Sequence, residues 1–97
     1  MIILGESDEP ANIIGYDRDA TISAATSFAS PPTGATAVLI QAETQSIRIT
    51  ADGTTPTATT GLLVTTSVPV LLTGDIAKLK VIETTATAAV SLTYLSY

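Results

Sequence analysis

The sequence predicts an all-β protein, a small antiparallel sandwich of two sheets, and three observations predict it. Ser46-Ile47-Arg48-Ile49-Thr50-Ala51 alternates polar and apolar without a slip. Ile47, Ile49 and Ala51 therefore share one face, as in a half-buried antiparallel strand. No segment sustains an apolar repeat of about 3.6 residues, and the many threonines favour a pleated surface over a helix. Turn pairs, Asp52-Gly53 and Gly74-Asp75, cut the remainder into short segments. The spacing suits about six or seven strands.

Taken in order, residues 1–19 differ from the rest. They hold Glu6, Asp8, Glu9, Asp17 and Asp19, five of the nine acidic side chains, around two apolar islands, Ile2-Ile3-Leu4 and Ile13-Ile14. The expectation is an extended acidic arm over 1–19 and a β-sandwich domain over 20–97. From Ala20 to Phe28, Ile22, Ala24, Thr26 and Phe28 fall on one face of an extended chain. Pro31-Pro32 removes two ladder donors and marks a hinge before the body. Strands are then expected over about 36–43, 46–51, 62–66, 69–73, 77–83 and 88–96. Pro69 assigns its strand to an edge or a bulge. Ile82 breaks the alternation of Ala77, Leu79 and Val81, which predicts a bulge or burial on both faces. Val90, Leu92 and Tyr94 define the inner face of the last strand, with Leu95 and Tyr97 in the opposite phase.

At 97 residues the chain supports one domain with a thin core, so self-association is a natural supplement. The net charge is −5 and only four cations, Arg18, Arg48, Lys78 and Lys80, are present. That balance disfavours nucleic acid and anionic membrane surfaces as partners. Met1-Ile2-Ile3-Leu4 runs directly into acids and is too short for a leader, and no apolar run approaches the ~20 residues of a membrane span.

Histidine and cysteine are absent, which removes the commonest general base and thiolate chemistry. Asp52 and Asp75 are two acids in turns, and a turn role outweighs a glycosidase pair. Asp17 and Asp19 offer calcium two oxygens, without the glycine and distal glutamate of a dedicated loop. The glycines are isolated, so no phosphate cradle is written in the sequence. The expectation is a protein that is not an enzyme and carries no cofactor or metal. The structural turn residues are Asp52, Gly53, Gly74 and Asp75. The partner-binding residues, on the arm and the C-terminal edge, are Ile2, Ile3, Leu4, Ile13, Ile14, Leu95 and Tyr97.

Two resemblances attach to these motifs. SIRITADGTTPTATTG, with Asp52, Gly53, Thr54, Pro56 and Thr57, resembles the strand–turn–strand signature of the immunoglobulin-like domains appended to chitobiases. A wider pattern covers roughly residues 31–97. It comprises P-x-G-A-T-A at Pro32–Ala37, the Asp-Gly turn, Gly74-Asp75 and K-x-I-E at Lys80–Glu83, and it is similar to small all-β virion proteins of tailed phages. The fold these imply is an immunoglobulin-like or jelly-roll-like sandwich. The second resemblance implies a bacteriophage capsid decoration, or cement, protein. It would bind the major capsid protein and itself, as a homotrimer before a dimer, on a virion made in the host cytoplasm. Alternatives are a head–tail or tail-surface protein and a carbohydrate-binding accessory module. For the last, Tyr16 and Tyr97 are the candidate sugar platforms, since Tyr94 and Phe28 fall on the presumed core face.

Overall fold

The computed structural model describes residues 2–4, 12–27, 31–73, 76–85 and 87–96. The strands are β1 (Ile2–Leu4), β2 (Asn12–Ile22), β3 (Thr26–Ser27), β4 (Ala37–Ala42), β5 (Ile47–Thr50), β6 (Leu62–Val64), β7 (Val70–Thr73), β8 (Lys80–Glu83) and β9 (Ala88–Ser96). One sheet has the order β1-β7-β4-β9-β2 and the other β3-β8-β5-β6. Eight antiparallel strands thus form two four-stranded sheets, and β1 adds to β7 in parallel. The all-β sandwich is as predicted, with more strands than the six or seven expected.

The additional antiparallel strands are β2 and β3, and β2 corrects the domain boundary. Residues 12–19 lie within the longest strand of the fold, paired with β9 from Asn12↔Ser96 to Ile22↔Ala88. Acids disguised it. Asp17 and Asp19 stand opposite Leu92 and Val90, in the phase that faces the core. An edge strand tolerates this, because its carboxylates reach water around the sheet margin and discourage other strands from pairing there. Bulges between Ile13 and Gly15 and between Asp19 and Ile22 break the alternation further.

The expected hinge at Pro31-Pro32 is packed against β2. A Cβ on Gly15 would lie 2.9 Å from the Pro32 ring, so glycine is what lets the proline cross β2 at this point. Pro32 O accepts Ala35 N–H at 3.1 Å, and Thr36 N–H reaches Leu95 O at 2.9 Å. The 31–36 segment therefore joins two parts of one body.

Inner positions of both sheets supply the core. Val38, Ile40, Val70, Leu72, Val90, Leu92 and Tyr94 face Ile47, Ile49, Val64 and Val81, with Ile22, Ile76 and Leu79 closing it. The strand expected over 77–83 begins instead with a 3₁₀ turn, Ile76–Lys78, in which Leu79 N–H donates to Ile76 O at 3.2 Å. That turn aligns residues three apart, so Ile76 and Leu79 are buried together. Ile82 is half-buried on the outer face opposite Arg48 and the register is unshifted, so of the two expected outcomes it is burial on both faces, and not a bulge, that the strand adopts. Glu83 lies opposite Ile47 with Oε2 buried and unpartnered among the described residues.

β4 and β5 belong to different sheets, so residues 43–46 are a crossover. It is fastened to the crossover between β8 and β9. Gln45 accepts from Thr85 N–H at 3.2 Å and donates to Thr87 O at 3.2 Å, and Ala89 N–H donates to Thr44 Oγ1 at 3.2 Å.

Candidate functional site

The Asp-Gly motif is scaffolding throughout. Asp52 Oδ1 accepts Thr54 N–H at 3.0 Å, which closes a side-chain turn and holds the Asp52 carboxyl below its ordinary range. Gly53 follows with φ of +91°, in the left-handed region. Thr57 and Thr60 exchange two backbone bonds at 3.2 Å, and the Pro56 side chain is fully buried. Arg48 spans this loop, with Nε to Ala58 O at 3.3 Å and a second nitrogen to Gly61 O at 3.0 Å. The bonds these residues make run within the loop and hold its shape. Gly74 and Asp75, the other turn pair, lie outside the described residues.

The outer face of the five-stranded sheet is different. Register places Ile13, Leu95 and Ala37 in one row across β2, β9 and β4. Tyr16, Thr93 and Leu39 form the next row, and Arg18, Ser91 and Gln41 the third. Ile13 is 57% exposed and Tyr16 74%, so the β2 side of this face is uncovered, whereas Ala37 and Leu71 in the same phase are buried. Of the residues expected to bind partners, Ile13 and Leu95, distant in sequence, are brought into direct opposition. Ile14 occupies the bulge beside them and is also exposed. Ile2, Ile3 and Leu4 go elsewhere: their strand pairs with Val70, Leu71 and Leu72 of the chain's own β7. Tyr97 and Phe28 lie outside the described residues.

Spacing could not reveal the polar part of this face, because its members come from β2, β9 and the crossover that follows β4. Arg18 Nε donates to Glu43 Oε2 at 2.8 Å and its NH2 to Oε1 at 3.2 Å, a two-pronged pair. Ser91 Oγ donates to the same Oε2. Arg18 first, then Ser91, holds the Glu43 carboxyl below the usual carboxylate range. Beside this pair lies a depression of about 370 Å³ lined by Tyr16, Asp17, Arg18, Ser91, Leu92 and Thr93. On the opposite side of β9, burial and then the nearby Asp17 charge push the Tyr94 phenol up. Asp17 and Asp19 each turn one oxygen to local backbone, to Arg18 N–H and Thr21 N–H, both at 2.8 Å.

A second exposed apolar pair, Leu62 and Leu63, sits on β6 at the margin of the other sheet. Compared with known proteins, the chain matches no family model, no curated protein and no solved structure.

Proposed function

We propose that the chain is a non-enzymatic structural protein of a tailed-phage particle, a capsid decoration or cement protein that assembles through its two open sheet margins. The observation that carries the assembly part is the pair of exposed apolar patches on different edges. Ile13 and Ile14 lie on β2, and Leu62 and Leu63 lie on β6. β2 packs near β8, whereas β6 lies beyond β5 on the far side of that sheet. Two unlike patches at separate margins suit a head-to-tail contact, which closes into a ring when the rotation permits, a trimer before a dimer. The phage part rests on the likeness of residues 31–97 to small all-β virion proteins.

In such a ring β1 has a further use. The same three-residue strand that pairs with its own β7 can pair with β7 of a neighbour or extend to the major capsid protein. Several copies on one lattice then hold by avidity, each contact being weak. The test is co-sedimentation of the protein with capsids lacking it. Saturable binding is expected, with greater heat resistance of the particle, and truncation to residue 12 should weaken both. Absence of binding to capsids would contradict the decoration role.

A further inference from the structure

We infer that the head-to-tail contact is a main-chain pairing, in which β6 of one copy adds, antiparallel, to the Asn12–Tyr16 part of β2 in the next. This pairing depends on the assembly reading above and specifies its interface. The two margins are differently prepared for a neighbour. On β2 the second half is closed from within. Asp17 Oδ1 takes Arg18 N–H and Asp19 Oδ1 takes Thr21 N–H, both at 2.8 Å, so these amides are spent on carboxylates rather than left for a passing strand. The first half, Asn12-Ile13-Ile14-Gly15-Tyr16, holds no charge, and Asn12, Ile13, Ile14 and Tyr16 are exposed. β6 carries none of these guards. No charged side chain stands between Thr54 and Thr73, and the register of β6 with β5 runs unshifted from Val64 to Leu62. Leu62 and Leu63, on opposite faces of that edge, are both exposed.

The bulge at Ile14 sets the fit. One extra residue there lets Asn12 to Tyr16 cover the length of one residue fewer, so the segment matches Leu62 to Thr65. Charge sets the direction. The Val64 end of β6 lies in the row of Ile47 and Glu83. The Arg48 guanidinium lies at the other end, against Ala58 O at 3.3 Å and Gly61 O at 3.0 Å. Antiparallel pairing sets Asn12 opposite Thr65 and Tyr16 opposite Leu62. Asp17 then follows at Gly61, on the face of Leu63 and Arg48, since opposite residues share a face and successive ones alternate. The parallel alternative carries Asp17 beyond Thr65, toward the Glu83 row, like charge to like. In the antiparallel arrangement an edge carboxylate gains the neighbour's cation, which favours the approach of two copies that each carry a net charge of −5.

The chain has no cysteine, so engineered disulfides read the pairing without background. Directly opposite residues lie within reach of a disulfide, whereas swapped partners would stand about 10 Å apart along the strands. The full chain carrying Asn12→Cys with Thr65→Cys, or Tyr16→Cys with Leu62→Cys, should oxidise at about 50 µM to covalently linked oligomers on a non-reducing gel. Asn12→Cys with Leu62→Cys, and Tyr16→Cys with Thr65→Cys, should stay unlinked. Asp17→Asn keeps an oxygen for Arg18 N–H but loses the charge. It should weaken assembly about two- to fivefold and melt with the parent. Links in the swapped pairs would overturn the pairing and leave the assembly reading standing. So would the absence of links in both expected pairs while the reduced proteins still sediment as oligomers. A parent that sediments as a monomer would overturn both. Assembly of Asp17→Asn as tight as the parent's would overturn the antiparallel direction.

Discussion

Gly53 and Gly61 both have positive φ, yet their surroundings differ. A Cβ on Gly53 meets nothing within 4 Å, so Gly53→Ala should cost only the left-handed backbone penalty, about 1 kcal/mol. At Gly61, with φ of +124°, the same atom would lie 2.7 Å from Ile49 O. Gly61→Ala should cost about 3 kcal/mol, from strain plus a displaced strand pair, measured by urea unfolding. The Asp52-Gly53 turn was legible because its two residues state the geometry locally. The need for Gly61 was hidden, since the obstructing carbonyl comes from a neighbouring strand. Arg48 was hidden for the same reason: its alternation marked an outward face, but the carbonyls it binds belong to a later loop. Glu43 and Asp52 set the response to acid. Both carboxyls are held below their ordinary values by hydrogen bonds, so the unfolded chain binds more protons between the two pKa values. Their contribution is present above the unfolded value, about pH 4, and disappears as pH falls through the depressed folded value. Glu43→Gln should flatten the acid limb of a stability–pH curve and leave the slope near neutrality unchanged.

Among the elements, β5 and β9 were the most legible, because each carries two-residue alternation over a buried face, whereas β7 is a short apolar run buried on both faces. β2 was the least. Its inward phase holds Gly15, Asp17 and Asp19, which read as a solvated arm until the edge position explains them. The outer-face site shared that fate: Tyr16 stood out as an aromatic, but Arg18, Glu43, Ser91 and Thr93 are joined only by strand register. The placement of β2 makes a sharp truncation prediction. Removing residues 1–11 spares β2 and should leave a cooperative melt with an all-β circular-dichroism spectrum. Removing 1–19 strips most of the strand from β9, exposes Val90, Leu92 and Tyr94 along that margin, and should abolish cooperative folding. Equal melting of the two truncations would mean that β2 contributes nothing to the sandwich.

As a whole molecule, the chain pairs distant segments. β5 and β6 are the one pair of successive strands bonded to each other among the described residues, and β2–β9 and β4–β9 close long loops. Such a topology should fold slowly for its size, because loop closure precedes the contacts that offset it. It also leaves each sheet with an open margin, and on β2 and β6 those margins carry apolar residues. That is the basis for reading the protein as one part of an assembly. Sedimentation velocity of the purified chain at about 50 µM, beside Ile13→Lys and Leu63→Lys, tests this most directly. The parent should sediment as a closed oligomer, a trimer first, and either substitution should return it to monomer without lowering its melting temperature by more than a few degrees. A monomeric parent at that concentration, or variants that assemble as the parent does, would contradict the account.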